Sequence, residues 1–420
     1  MRLKLADIQD VSDRQLCCGC GACAHVASEA VEMVDVPDAG LRPKLRPGAE
    51  RNGQLKAAMD VCPGHALAHD DHKEPDLHQN LADGWGPVLA VWEGYAGDGA
   101  VRHGGSSGGA ATALSLYCIE HGGMEGALHI AAREDVPYLN ETVMSRTREE
   151  LLGRTGSRYA PASPCDRLGK IEAADRPCVF IGKPCDVAAA AKARRIRPAL
   201  DEKLGLTIGI FCAGTPSTGG TLAMLKRMGV DDPSRLVSLR YRGNGWPGKA
   251  TAEFRTDDGS IERRELTYQQ SWGEVLTKHV QWRCRLCADH TGEFADVSVG
   301  DPWYKPPKDN AEPGRSLIIA RTQRGRRMIE AAIAAGHLVA EPRDPEVLPA
   351  SQPNLLRTRG AVWGRITTLR LMGRAAPRYR GMPMLRWWWS ELTWKQKLQS
   401  VGGTVKRALR QMCMAADGSM

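Results

Sequence analysis

Aromatic residues and long apolar runs are scarce in this sequence. Phe, Trp and Tyr together make up 5% of its 420 residues, and only four residues are Phe. No segment approaches the roughly 20 consecutive apolar residues that a membrane-spanning helix needs, and no apolar signal-peptide core follows Met1. We therefore expect a cytoplasmic protein rather than an exported or integral membrane protein.

Positive charge is abundant only near the C-terminus. Residues 351–420 contain 13 Lys and Arg against two acidic residues, Glu391 and Asp417, so this segment carries a net charge of +11, compared with +8 for the whole chain. The preceding 350 residues are therefore slightly acidic, with a net charge of −3. This distribution argues against nucleic-acid binding by the protein as a whole.

Cysteine, in contrast, is plentiful, with 13 residues. Three thiols at CxxCxxC spacing lie within Cys17–Cys23, and a Cys-Pro pair follows at Cys62. This spacing lets thiolates hold an iron–sulfur cube, so we predict a 4Fe–4S cluster on four ligands, with Cys18 as an out-of-register spectator. The predicted ligands are Cys17, Cys20, Cys23 and Cys62. Zinc more often uses two separated CxxC pairs, and disulfides suit small secreted chains.

A second group of cysteines has weaker spacing evidence. Cys185 and Cys212 each follow an apolar, strand-like segment, and Cys284 and Cys287 form a CxxC pair. Thiols at the ends of neighbouring strands, facing such a loop, would converge on a second cluster or another metal. A zinc site of four cysteines is the alternative. For Cys212 alone, the alternative is a buried apolar thiol without a ligand role.

Strand-like and helix-like segments alternate, which predicts an α+β (mixed α/β) protein. We divide it into a small ferredoxin-like cluster module (residues 1–80), a central mixed-sheet domain (81–310) and a helical C-terminal region with a basic tail (311–420). An acidic linker is predicted at Ala68–Gln79. Strands are predicted at Val88–Tyr95, Cys178–Ile181, Leu206–Phe211, Ala250–Arg255 and Ala295–Val299, and helices at Ala110–His121, Val187–Ala193 and Thr221–Met228.

Eight short motifs in order resemble the coenzyme F420 hydrogenase/dehydrogenase beta-subunit family. They are CCGCGAC (Cys17–Cys23), CPG (Cys62–Gly64), GGSSGG (Gly104–Gly109), GSRY (Gly156–Tyr159), IGKPC (Ile181–Cys185), FCAG (Phe211–Gly214), CRLCAD (Cys284–Asp289) and ADVSVGDPW (Ala295–Trp303). Each motif alone is unspecific, but their shared order is specific. The last 110 or so residues carry no recognised motif.

This resemblance implies an iron–sulfur flavoprotein oxidoreductase that holds FAD and one or two 4Fe–4S clusters. It implies electron transfer between the clusters and a two-electron acceptor, which is a deazaflavin or a tetrapyrrole in different branches. It also favours a second cluster on Cys185, Cys212, Cys284 and Cys287. The implied partners are a small-molecule acceptor and a redox protein, such as a ferredoxin or a dehydrogenase subunit, within an oligomer or complex. An electron-transfer subunit without its own substrate and a zinc-stabilised binding protein are the alternatives.

The glycine-rich loop is the predicted flavin site. Glycines let backbone N–H groups approach an anion, and a following helix N-terminus favours a phosphate, although the loop lacks both the dinucleotide-binding and the P-loop fingerprint. An ordinary turn is the alternative. Together with the resemblance, this predicts cofactor contacts at Gly104, Gly105, Ser106, Ser107, Gly108, Gly109, Thr112, Ser157, Arg158, Tyr159 and Asp301.

Two further residues are candidates for a catalytic role. Lys183 lies next to a predicted cluster ligand, where a cation would stabilise a reduced cofactor; an ordinary exposed loop lysine is the alternative. His103 precedes the glycines as a candidate proton donor.

The Trp-rich tail around Trp387–Trp389 has three interpretations: packing on the core, docking to an acidic partner, and peripheral contact with the inner face of a membrane.

Overall fold

The computed structural model describes residues 5–49, 53–69, 76–308 and 312–416, and only the backbone of 410–416. The predicted linker Ala68–Gln79 lies partly outside these ranges. The helices are α1 (Ile8–Asp13), α2 (Ala22–Val26), α3 (Leu55–Asp60), α4 (Gln79–Trp85), α5 (Gly99–Gly104), α6 (Ala110–Glu120), α7 (Arg148–Leu152), α8 (Gly169–Glu172), α9 (Pro184–Arg194), α10 (Pro198–Lys203), α11 (Thr218–Arg227), α12 (Trp282–Arg285), α13 (Gln323–Ala334), α14 (Val347–Ser351), α15 (Leu355–Leu371), α16 (Leu385–Ser390) and α17 (Trp394–Ala416).

The strands form one large sheet and three small ones. They are β1 (Val31–Val36), β2 (Gly40–Leu45), β3 (Ala66–Ala68), β4 (Ala90–Ala96), β5 (Ala127–Ala132), β6 (Asn140–Ser145), β7 (Cys178–Gly182), β8 (Leu204–Ile210), β9 (Leu236–Arg240), β10 (Ala250–Arg255), β11 (Ile261–Leu266), β12 (Val297–Gly300), β13 (Ser316–Ala320), β14 (Leu338–Arg343) and β15 (Arg378–Arg380). The large sheet has the order β14-β4-β13-β12-β8-β7-β5-β6, and β11-β10-β9 form a separate antiparallel sheet.

The carboxyl ends of five strands, β4, β5, β7, β8 and β12, lie at one edge of the large sheet. The neighbours β12, β8 and β7 are parallel, and β4 runs in the same direction because both β4 and β12 pair antiparallel with β13. The loops after β4, β7, β8 and β12 therefore meet at this edge, which we call the site edge. Ligands of open α/β sheets commonly bind at such an edge.

Helices cover both faces of the sheet. On one face, α6 and α13 bury residues such as Leu114 and Ile329 against the apolar side chains of the central strands. On the other face, α9 and α10 pack Val187 and Leu200 against Phe180. The parallel strands are consequently buried on both sides, which explains their continuous apolar sequences.

The N-terminal module packs against the C-terminal region. Helices α1 to α3 share a buried cluster with Val362, Ile366 and Leu369 of α15, and β3 pairs in parallel with β15. The C-terminal region thus packs directly against the cysteine-rich module.

The predicted mixed α/β fold class is confirmed. The predicted helix Ala110–His121 corresponds to α6, and the predicted strand Ala250–Arg255 has the same bounds as β10. The large sheet also includes β13 and β14, which follow residue 310, the predicted end of the central domain. No helix in the described part of the chain is long and apolar enough to span a bilayer.

Candidate redox site

The first thiol set comes from a tight loop and a helix end. Cys17 and Cys20 lie in the loop before α2, Cys23 lies in its first turn, and Cys62 follows α3. Gly21 adopts a φ of +87°, and a Cβ there would lie 2.8 Å from the backbone N of Asp166, so only glycine fits. All four thiols are buried, and Cys17, Cys23 and Cys62 share one buried cluster.

Burial keeps these thiols protonated in the absence of a cation. It raises the pKa of Cys17 to about 12, while burial and nearby thiols raise the pKa values of Cys23 and Cys62 well above their ordinary range. The Gly19 N–H donates a hydrogen bond of 3.2 Å to Cys17 Sγ. A bound metal would supply the positive charge that turns such thiols into thiolate ligands, so the donor set fits an iron–sulfur cluster.

The second thiol set lies at the site edge. Cys185 follows β7 and Cys212 follows β8, and the CxxC pair of Cys284 and Cys287 begins in α12. Backbone N–H groups point at two of the sulfurs: Gly214 donates to Cys212 at 3.4 Å, and Thr215 donates to Cys284 at 3.3 Å. N–H···S bonds of this kind tune the potentials of iron–sulfur clusters.

Cys18, the predicted spectator, follows Cys17 in sequence and interacts with Cys185 of the second set. A hydrogen bond with the Cys185 thiol lowers the pKa of Cys18 to about 6, and its charge acts on Cys284 and Cys287. Cys18 therefore belongs with the second set, although it lies next to Cys17 in sequence. Spacing alone gave no signal for this contact because it depends on how the module docks on the sheet.

No three cysteine sulfurs among the described residues lie within 4.8 Å of one another. Among the described residues, only Glu120, His121 and His337 place three candidate ligand atoms within 4.8 Å of one another. Four thiolates around one zinc ion would be about 3.8 Å apart, given Zn–S bonds of about 2.3 Å. The sulfurs around an iron–sulfur cube are farther apart because each binds a different iron. The Glu120 carboxylate is already paired with Arg148 at 2.8 Å.

Arg283 lies between the two thiol sets and was missed by the sequence analysis. It is 2% exposed, and its Nη2 donates to the carbonyl of Pro63, next to Cys62, at 3.0 Å. Its Nε and Nη1 are buried and have no hydrogen-bond partner among the described residues. Despite burial, Cys18 and Cys287 are among the groups that raise the pKa of Arg283. A fixed, partly unsatisfied cation beside both sets suits anionic clusters.

Lys183 caps α9 at the site edge. Its Nζ lies 2.7 Å from the Asp186 carboxylate, and this ion pair raises the pKa of Lys183 in spite of burial. Asp186, which the sequence analysis did not single out, is 1% exposed. Lys183 is therefore fixed in an ion pair with Asp186 and is not an ordinary exposed loop lysine.

The glycine-rich loop follows β4 and α5 at the same edge. The Ser106 hydroxyl accepts a 2.6 Å hydrogen bond from the Ser157 N–H, which joins two predicted flavin segments. A Cβ at Gly108 would lie 2.7 Å from the Gly94 carbonyl and 2.8 Å from the Ser316 N. Packing against β4 and β13 thus accounts for Gly108. Gly104 and Thr112 remain less enclosed, and Gly105 and Gly109 pack on α5.

The other predicted flavin residues have protein partners. Arg158 donates to Asn140 Oδ1 and to the backbone carbonyls of Leu239 and Pro137 at 2.7 Å each, which favours a structural role. The Tyr159 ring packs 4.9 Å from the Trp272 ring. The His103 side chain is exposed, and its carbonyl accepts from Gly245.

Asp301, which follows β12, anchors another loop at the site edge. Its carboxylate accepts two hydrogen bonds from Arg242, at 2.8 and 2.9 Å, and one from Trp246 Nε1 at 2.9 Å. Asp301 thus holds the loop after β9 rather than being free for a cofactor.

Arg240 is another residue that the sequence analysis missed. Its guanidinium lies against three glycines: it donates to the Gly104 carbonyl at 3.0 Å, and Cβ atoms at Gly156 and Gly243 would lie within 2.7 Å of its Nη1. Within the described ranges no carboxylate pairs with it. Arg240 therefore provides an unpaired positive charge beside the glycine-rich loop, suited to a phosphate.

A buried ion network fastens the loop that follows Cys287. Glu293 accepts from Arg359 Nη1 of α15 at 2.5 Å, and its other oxygen lies 2.8 Å from His69 Nε2. Burial alone would raise the pKa of Glu293, but Arg359 and His69 lower it to about 2. Asp289 accepts three backbone N–H bonds from the same loop. The C-terminal region is thereby tied to the redox site.

The strand-end loops and buried thiols belong to a protein of mixed α/β architecture, and comparison with known proteins identifies its family. Residues 91–168 match the family described as "Coenzyme F420 hydrogenase/dehydrogenase, beta subunit N-term". Residues 175–346 match the description of the C-terminal part of the same beta subunit. These matches together cover more than half of the chain, which therefore belongs to the coenzyme F420 hydrogenase/dehydrogenase beta-subunit family, as the motifs predicted.

Individual relatives are distant but extend over most of the chain. The coenzyme F420 hydrogenase subunit beta of Methanosarcina barkeri is 25% identical over 265 residues, 58% of this chain and 77% of the relative. A subunit of the F(420)H(2) dehydrogenase of Methanosarcina mazei is 22% identical, over 80% of this chain and 88% of the relative. The coenzyme F420-dependent sulfite reductase of Methanocaldococcus jannaschii is 23% identical over 76% of this chain, which spans only 46% of that relative.

A solved structure shares the fold. A chain of the F420-reducing [NiFe] hydrogenase complex from Methanosarcina barkeri superposes with a TM-score of 0.50 at 22% identity, covering 67% of this chain and 93% of that chain. The relatives named above are enzymes, or subunits of enzymes, that catalyse oxidation–reduction reactions.

Proposed function

We propose that this protein is an iron–sulfur flavoprotein oxidoreductase that moves electrons between two 4Fe–4S clusters and a two-electron partner through FAD. Cys17, Cys20, Cys23 and Cys62 would hold one cluster, and Cys185, Cys212, Cys284 and Cys287 the other. The clusters supply single-electron transfer, and the flavin exchanges electrons in pairs.

The observation that carries this proposal is the convergence of motif loops at the site edge. The glycine-rich loop, the two strand-end cysteines and Asp301 follow β4, β7, β8 and β12, whose carboxyl ends coincide there. Cys18 and Arg283 extend this edge to the first thiol set. One continuous arrangement of this kind suits electron transfer between neighbouring cofactors.

Arg240 supports an anionic flavin at the glycine-rich loop. Its guanidinium lies beside Gly104 and Gly156, and no carboxylate among the described residues forms an ion pair with it. The chain's own groups would hold the phosphates by charge-assisted hydrogen bonds, while Asp301 and Arg242 fix the loop behind them. The Lys183–Asp186 ion pair lies beside Cys185 at the start of α9.

The two-electron partner we favour is a deazaflavin of the coenzyme F420 type, because the three relatives described above all carry F420 in their names. Two of them are named as subunits of a hydrogenase or a dehydrogenase, which supports a protein partner that delivers or removes electrons at the clusters. An electron-transfer subunit without a substrate of its own is the alternative within the same class. We further propose a cytoplasmic location.

Flavin binding and electron transfer from reduced deazaflavin provide the test. The anaerobically purified protein should contain FAD, and reduced coenzyme F420 should bleach its visible absorbance. Arg240→Gln should weaken flavin binding at least about tenfold, because a charge-assisted bond is worth about 1.5–3 kcal/mol. The matched control is Arg133→Gln, whose guanidinium is exposed and paired with Asp135. Absence of flavin from the wild type would overturn the flavin part of the proposal, and retention of flavin without bleaching would overturn the choice of partner.

A further inference from the structure

Helix α17 packs with inverted polarity. The side chains that face the protein include Lys397, Ser400 and Thr404, which are 8%, 4% and 2% exposed. The outward face carries Trp394 and Leu398, each 71% exposed, and continues through Val401 and Leu409, which are 38% and 49% exposed. Surface helices normally bury the apolar stripe and expose the polar one. The apolar stripe of α17 is therefore left for something outside the chain.

The polar side chains on the inward face of α17 make specific contacts with the rest of the protein, which fix the orientation of the helix. Lys397 Nζ donates to the Trp389 carbonyl at 3.0 Å and lies 4.7–5.3 Å from three indole rings. The Ser400 hydroxyl accepts from Trp388 Nε1 at 3.3 Å. A Cβ at Gly364 of α15 would lie 2.4 Å from Ser400 Oγ, which shows how closely the two helices approach. Turning α17 around would bury its Trp and Leu side chains but break these contacts.

The exposed stripe is extended by α16 and bordered by positive charge. Trp389 is 65% exposed and its ring lies 6.5 Å from that of Trp394. Lys395 and Lys406 are exposed on α17. The sequence has no Asp or Glu between Glu391 and Asp417. We call this surface the tail face: Trp389, Trp394, Leu398, Val401 and Leu409 with Lys395 and Lys406.

We propose that the tail face docks the protein on the surface of a bilayer that contains anionic lipids. Indole rings favour the headgroup level, apolar side chains such as Leu398 favour the acyl boundary, and Lys395 and Lys406 complement anionic headgroups. The stripe from Trp394 to Leu409 is about 22 Å long at 1.5 Å per residue. Because the opposite face of α17 is polar and fixed to α15, the helix would lie along the surface rather than insert.

The charge distribution supports this orientation. The slightly acidic remainder of the chain would be repelled by an anionic surface, whereas residues 351–420 carry +11. Within this segment, Lys395 and Lys406 are exposed beside the apolar stripe, so the tail face combines apolar side chains with positive charge. This proposal does not depend on which cofactors are bound.

Vesicle binding by the full-length protein tests it. The protein should cosediment with phosphatidylglycerol vesicles much more than with phosphatidylcholine vesicles, and its Trp emission should shift to the blue. The double substitution Trp394→Gln with Leu398→Gln should lower binding at least about tenfold, since each exposed apolar side chain loses its burial. Ile261→Gln, at a 57% exposed position on β11, is the matched control and should bind like the wild type.

A further pair of substitutions, Lys395→Gln with Lys406→Gln, should weaken binding to phosphatidylglycerol in particular. Three results would overturn the proposal: no binding of the wild type to either vesicle, equal binding by the Trp394/Leu398 variant, or a soluble oligomer that this variant dissociates in the absence of lipid. The last result would assign the tail face to a protein interface instead.

Discussion

Replacing Arg359 with methionine would leave the Glu293 carboxylate buried without its main counter-charge. Arg359 is 1% exposed and Glu293 is 3% exposed, so water cannot replace the lost ion pair. Methionine keeps much of the side-chain volume, so the substitution tests charge rather than packing. His69 would remain as the other side-chain partner of Glu293.

The pKa of Glu293 gives the size of the effect. It is about 2 in the folded protein against an ordinary value of 4.5, and one pKa unit corresponds to about 1.4 kcal/mol. The network therefore stabilises the fold by about 3 kcal/mol above pH 4.5, and this contribution is lost as the pH falls through about 2. Removal of one partner from a buried pair costs about 3–5 kcal/mol. Two Arg359 nitrogens already lack hydrogen-bond partners among the described residues, so we expect a cost at the lower end of this range.

Urea unfolding of the anaerobically purified protein, followed by circular dichroism, measures this loss. Arg359→Met should lower the free energy of unfolding by about 3 kcal/mol at neutral pH, and by less at about pH 3, where the unfolded carboxylate is protonated. The control is Arg386→Met, because Arg386 pairs with Asp83 at an exposed site and should cost less than about 1 kcal/mol. A loss equal to that of the control, or one that does not depend on pH, would refute this reasoning.

Three other predictions concern the redox site. In an EPR-monitored titration, Arg283→Gln should lower the potential of at least one cluster by about 60 mV, because the buried cation stabilises the reduced state. This shift is a tenfold change in the one-electron equilibrium. Arg283→Lys keeps the charge and should restore most of the lost potential. Gly108→Ala should destabilise the fold by about 1–3 kcal/mol in thermal unfolding, because its Cβ would meet backbone atoms of β4 and β13. The control is Gly99→Ala, which has open space around its Cβ and should be neutral or slightly stabilising. Cys18→Ser should change the EPR signal of the cluster near Cys185 while leaving that of the Cys17 set intact, and the reverse pattern would contradict the placement of Cys18.

The parts of the site that sequence reasoning could reach are those encoded locally. Cys17, Cys20 and Cys23 are close because of their spacing, and the strand-end positions of Cys185 and Cys212 follow from two apolar segments that end at cysteines. Parallel pairing of β7 and β8 then brings the latter two thiols to one edge. The mixed sheet was predictable for the same reason, since its strands and helices have clear periodicity.

The rest depends on contacts between segments far apart in sequence. Arg283 meets Pro63 across 220 residues, and Glu293 meets Arg359 across 66. Nothing in their local sequence distinguishes these arginines from exposed ones. Gly108 illustrates the opposite difficulty: its motif suggested ligand contact, but the neighbouring strands account for the missing side chain. The inward-facing Lys397 likewise reverses the pattern expected of an amphipathic helix.

The central claim is that two iron–sulfur clusters are held by two separate thiol sets, and iron and acid-labile sulfide content tests it most directly. The anaerobically purified wild type should contain about eight iron and eight sulfide per chain, as two 4Fe–4S clusters require. Cys20→Ala and Cys185→Ala should each lose about half of both, while Cys118→Ala, at a buried thiol of the sheet core, should lose neither. About four iron in the wild type, unaffected by Cys185→Ala, would contradict the second cluster, and zinc in place of iron would contradict the account as a whole.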